Sequence, residues 1–192
     1  DLVPDQAPFH LASTTSVLID SEKQEADWDE RLQLTDLIAL PSTVFSPVTT
    51  PEIGFGWNSA IIYARTLLRN PTDEDQTWVL ATNQSPWGKR SVYLVIDEQP
   101  LPADPFLKFP DDKPWNNSDR LLHAQFDMPA GATATLYTTY ANAASSAPLS
   151  IEVPQNYNNR RMLAELNIYI LIGLVFGVTI LTVSLLGILH PK

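Results

Sequence analysis

Residues 132–140 read Ala132-Thr133-Ala134-Thr135-Leu136-Tyr137-Thr138-Thr139-Tyr140. The stretch alternates as a half-buried strand does, with one face turned inward and the other outward. Met128-Pro129-Ala130-Gly131, just before it, is turn chemistry. On the far side of that turn, Leu121 to Phe126 reads as a second strand. Working outward, Ser59–Arg69, Gln76–Ala81, Ser91–Ile96 and Pro148–Val153 are rich in branched and aromatic residues and read the same way. The polar run Asn70-Pro71-Thr72-Asp73-Glu74-Asp75 separates two of them as a turn. Short strands at this spacing predict an all-β chain, a jelly-roll-like β-sandwich.

Upstream, Leu32, Leu34, Leu37 and Ile38 predict a short helix or turn, and Pro41, Pro47 and Pro51 punctuate the chain after it. Residues 21–30 hold five acids (Glu22, Glu25, Asp27, Asp29 and Glu30) and read as a solvated loop. The resulting division is an extended segment over 1–30, a sandwich over 31–158, a juxtamembrane linker over 159–166, a transmembrane helix over 167–189 and a tail over 190–192.

The helix assignment rests on Ile168 to Leu189, 22 residues without a charge. At about 1.5 Å per residue such a run crosses a hydrocarbon core of about 30 Å. A buried core helix rarely stays apolar on every face for so long. Tyr169 falls where an interfacial aromatic is expected. Gly173 and Gly177 form a G-x-x-x-G spacing and Ser184 lies on nearly the same face, a pattern that lets another helix approach closely. Arg160 and Arg161 precede the helix and His190 and Lys192 follow it, so charge bias does not set its orientation. No signal peptide is visible at Asp1, which predicts numbering from a processed start.

The chain has 192 residues and a formal net charge of −10. Its basic residues are scattered, with no face to neutralise phosphates, so a nucleic-acid partner is not expected. There is no Cys. His10, His123 and His190 share no metal-ligand spacing, and no nucleophile elbow, zinc-protease helix or phosphate loop occurs. The acids Asp111-Asp112 and Asp73 with Asp75 lie in turns. Asp73, Glu74 and Asp75 offer oxygens to a cation such as Ca²⁺, but solvated turn acids are the commoner meaning. No catalytic residue, cofactor or metal is therefore expected. Trp57 and Trp78 are expected in the core. Trp87 and Trp115 fall in loops, where an indole can stack on a sugar or a partner protein. Asn116-Asn117-Ser118 is a sequon that matters only in a eukaryotic secretory pathway.

The order of segments resembles a known family. Leu34-Thr35-Asp36-Leu37 leads through Phe45-Ser46-Pro47 to Gly54-Phe55-Gly56. Tyr63 to Thr72, Trp78-Val79-Leu80, Val92-Tyr93-Leu94 and Pro105-Phe106 follow. Met128 to Gly131, Leu136-Tyr137, Pro148-Leu149 and Tyr157 complete the set. Over roughly residues 10–158 this looks like the extracellular type-2 domain of bacterial seven-transmembrane receptors with diverse intracellular signalling modules. The resemblance implies a jelly roll that binds carbohydrate-like or other small ligands outside the cytoplasm. The family places seven helices and a cytoplasmic output after it. Here one helix and three residues follow.

Two functions are therefore expected. The first is a non-catalytic accessory subunit, anchored in the bacterial inner membrane with its sandwich in the periplasm. It would pack against integral membrane proteins of a larger complex through Gly173, Gly177 and Ser184. The second is the ligand-sensing input domain of a truncated receptor.

Overall fold

The computed structural model describes residues 1–3, 9–49, 58–83, 90–97, 99–100, 107–108, 121–143 and 149–189. They divide into two compact units, Asp1–Pro154 and Gln155–Lys192.

In the first unit, β1 (Phe9–His10), β5 (Gln76–Asn83), β9 (Leu121–Met128) and β11 (Leu149–Glu152) form a four-stranded sheet in the order β1-β11-β5-β9. The larger sheet contains β2 (Thr15–Gln24), β3 (Ser46–Pro47), β4 (Asn58–Arg69), β6 (Arg90–Ile96), β7 (Gln99–Pro100), β8 (Leu107–Lys108) and β10 (Thr133–Ala143). Its order is β3-β2-β4-β10-β6-β7, with β8 also on β6. Every pairing is antiparallel. From β4 onward the long strands alternate between the sheets, the habit of a jelly roll.

Period-two alternation supplies the core. Ile62, Leu94, Leu136 and Tyr140 from the larger sheet meet Trp78, Leu80, Phe126, Met128 and Ile151 from the smaller. Trp78 is fully buried, as its place in a strand predicts. Each such side chain contributes roughly 1.5–3 kcal/mol through removal from water.

The outer face of the larger sheet is covered as well. There Ile61, Tyr63, Tyr93, Val95, Tyr137 and Ala141 pack with Leu37 and Phe45 in a second cluster, joined by Leu32, Leu34 and Leu40. These leucines come from α1 (Leu34–Ala39) and its flanks, so the short helix read from the sequence is the seat of a third layer. A strand covered on both faces loses its polar positions, which is why Ala60 to Ala64 is apolar throughout.

One end of the sandwich is knotted by Asn70. Its side-chain amide donates to the carbonyls of Glu74 (2.9 Å), Met128 (3.2 Å) and Pro129 (2.9 Å). Its Oδ1 accepts from the N–H (3.1 Å) and hydroxyl (2.7 Å) of Thr72. Gly131, at φ 69°, makes the facing turn, and its N–H reaches the carbonyl of Thr72 at 3.0 Å.

Three expectations need correction. Residues 1–30 are part of the sandwich: they hold β1 and β2, bury Leu2 and Leu11, and bond Leu2 N–H to Arg69 O at 2.7 Å. The acidic run 21–30 continues β2 to Gln24 and then forms 3₁₀ turns, with Glu22, Asp29 and Glu30 exposed. Residues 159–166 are continuous helix, because α2 runs over Pro154–Leu189.

Pro154 suits the first turn of α2, where no N–H partner is needed, and the rest of the helix lies in the second unit. Arg161 and Glu165 pair at 3.1 Å, one turn apart. At about 54 Å, the 36-residue helix is longer than a bilayer core requires. It is long and apolar enough to cross a membrane. Thr179 and Thr182 return their hydroxyls to the carbonyls of Val175 and Val178, each at 2.8 Å. Such bonds satisfy hydroxyls where water is absent.

Candidate functional site

The outer face of the larger sheet gathers the most distinctive chemistry among the described residues. Strand register builds it. Thr139 on β10 stands opposite Tyr63 on β4 and Ser91 on β6. Two residues along, Tyr137 stands opposite Arg65 and Tyr93. The result is a grid of two rows over three strands, Tyr63–Thr139–Ser91 beside Arg65–Tyr137–Tyr93. Neighbouring strands lie about 4.8 Å apart, so the grid is roughly 10 Å wide.

The grid is polar where a covered face should be apolar. Arg65 Nε, Ser91 Oγ and Thr139 Oγ1 are buried and find no hydrogen-bond partner among the described residues. Ser91 is 2% exposed and Thr139 is 0% exposed. A buried polar group left unpaired costs about 1–3 kcal/mol, and three of them side by side call for a reason. By contrast, the Tyr63 hydroxyl accepts from Leu32 N–H at 3.0 Å. Burial pushes its pKa above the ordinary phenolic value; the Leu32 bond and Arg31 pull it down, and Asp20 and Asp36 push it up.

Chemically, the arrangement offers one fixed donor in Arg65 and two hydroxyls that donate or accept. It adds three aromatic rings whose faces suit the C–H side of a ring compound. That is a binding chemistry. Among the described residues no group of three His, Cys, Asp or Glu side chains is arranged to hold a metal ion. Asp75, a cation candidate from the sequence, instead accepts Ala130 N–H at 2.9 Å and ties the two turns.

Comparison with known proteins finds no matching family model and no matching curated relative. Among solved structures, a family 35 carbohydrate binding module from Clostridium thermocellum is 10% identical, over 77% of this chain and 98% of that one, with a TM-score of 0.35. A second family 35 module, from an environmental isolate, is 18% identical over 48% of this chain and 64% of that one, at a TM-score of 0.26. The α-xylosidase of Xanthomonas citri is 12% identical over 78% of this chain and 16% of that one, at 0.32. Likeness this remote says nothing of what this chain binds.

The residues singled out from the sequence lie elsewhere. Gly173, Gly177 and Ser184 form a narrow stripe on α2, since their spacing returns them to within about 40° of one another. A Cβ added at Gly173 or Gly177 would meet nothing within 4 Å. Trp57, Trp87 and Trp115 lie outside the described residues. His123 is exposed on β9 opposite Ala81. Sequence reading missed the grid. Alternation within each strand does pair Tyr63 with Arg65 and Tyr137 with Thr139 on one face; only the register between strands brings the pairs together.

Proposed function

We propose that the chain is the non-catalytic, extracytoplasmic sensing portion of a bacterial membrane receptor, and that it binds a small carbohydrate-like ligand on the outer face of the larger sheet. The observation that carries this is the grid of Tyr63, Tyr93, Tyr137, Arg65, Ser91 and Thr139, with its three unpartnered polar atoms. The resemblance to receptor input domains points the same way. So does connectivity: only Val153 separates β11 from α2, so the strand that completes the smaller sheet leads straight into the helix. The inner membrane is the proposed location, with the sandwich in the periplasm.

Titration calorimetry of the whole chain in nanodiscs, against neutral and acidic mono- and oligosaccharides, tests the reading. Saturable binding is expected, weakened about tenfold or more in Arg65→Ala, as loss of a charged hydrogen bond implies. Binding that ignores Arg65→Ala and Ser91→Ala would place the ligand elsewhere, and no binding across the panel would remove the reading.

A second reading keeps the accessory-subunit function. It is favoured by the open stripe of Gly173, Gly177 and Ser184 on a helix whose side chains are exposed from Tyr169 to Ser184. It requires that the chain co-purify with another integral protein from native membranes, and that Gly173→Leu with Gly177→Leu abolish this.

A further inference from the structure

Residues 25–45 lie over the grid as a separate layer. Much of their hydrogen bonding is internal. Leu37 N–H bonds Gln33 O (3.0 Å), Leu40 N–H bonds Asp36 O (3.1 Å), and Val44 and Phe45 bond back to Pro41 and Ser42 (3.2 Å each). Gln33 N–H bonds Asp36 Oδ2 at 2.9 Å. The layer meets the sheet through the apolar packing of Leu37 and Phe45 and through the bond from Leu32 to Tyr63. Its flanks are strand-paired: Gln24, just before it, stands opposite Ala60, and Ser46, just after it, stands opposite Val17. Beneath it, Arg65 Nε, Ser91 Oγ and Thr139 Oγ1 gain no partner from the layer when it is closed. Lifting the layer returns water to all three.

We infer that residues 25–45 are a displaceable cover, hinged at the strand pairings that flank it, that lifts from the Tyr63–Tyr93–Tyr137 face and admits ligand to it. What enters rests on the sensing function proposed above; the movement itself does not.

The chain has no Cys, so one introduced thiol reports one place. Thr139→Cys faces the cover. Thr138→Cys, the next residue on the same strand, faces between the sheets with Leu136 and Tyr140. Alkylation by iodoacetamide is measured on the whole chain in micelles, without ligand, at low urea. The cover predicts that Thr139→Cys reacts at least ten times faster than Thr138→Cys. It also predicts a weak urea dependence, because partial opening exposes little surface. Leu37→Ala then accelerates Thr139→Cys at least tenfold. Ser91→Cys and Phe45→Ala serve as the second thiol and the second weakened cover should the first pair disturb folding. Equal rates at the two positions, rising together with urea, overturn the inference, since exposure then needs global unfolding. So does fast labelling that neither Leu37→Ala nor Phe45→Ala changes. Equal rates sink the cover even if a sugar binds. Fast, cover-dependent labelling with no sugar bound sinks the ligand reading and leaves the cover standing.

Discussion

Asn70 shows how much a single buried side chain can organise. It is fully buried, yet its amide and carbonyl are both engaged with two turns. Asn70→Ala strands those carbonyls and the Thr72 donors, and a loss of about 3 kcal/mol is expected. Urea denaturation of the whole chain in detergent measures it, and Asn70→Asp recovers only the part due to Thr72. Tyr63 is the other informative residue. Its pKa is raised in the fold, so the neutral phenol is the folded form. Stability from this residue is complete below the ordinary phenolic pKa and is lost as pH rises above about 10, where the unfolded chain ionises first. Tyr63→Phe should flatten the decline of stability above about pH 10, while costing about 1 kcal/mol at neutral pH through the lost Leu32 bond. Parallel denaturation curves at alkaline pH would remove Tyr63 from the account.

Elements differ in how plainly residue order announces them. β4, β5, β6, β9, β10 and β11 are legible because branched and aromatic residues crowd them and turns flank them. β2 is not, because Ser21-Glu22-Lys23-Gln24 continues a strand whose side chains there reach solvent, and acids outweigh period. The two-residue strands carry too little pattern to be seen. α1 is visible, but its purpose as part of a third layer is not, since packing against Ile61 and Tyr63 is a long-range fact. The grid is hidden for the same reason: each member lies in a recognised strand, while cross-strand register is set by turns and bulges, such as the shift between Ala141 and Ala143. At the β9–β10 turn, Gly131 has a left-handed φ of 69° with nothing within 4 Å of an added Cβ. Gly131→Ala should therefore cost only the backbone term, about 1–2 kcal/mol. A much larger loss in thermal denaturation would mean the turn tolerates no bulk.

For the molecule as a whole, the division into two units makes a simple demand. A fragment ending at Asn158 keeps both sheets and both apolar clusters, and should stay soluble without detergent with a β-type circular dichroism spectrum. The whole chain should partition into micelles. Aggregation of the fragment would show that the sandwich needs the rest of the chain.

The pairing of Phe9 with Ile151 and of His10 with Ser150 sets a timetable. β11 fills the gap between β1 and β5, so the four-stranded sheet stays open until Leu149–Glu152 have been synthesised. Such distant pairings close slowly. The next segment off the ribosome is α2, which is long and apolar enough to cross a membrane. Completion of the sandwich and synthesis of this apolar helix therefore fall in the same interval. A nascent chain halted before residue 149 would carry an unfilled sheet edge, the kind of edge that recruits strands from other chains.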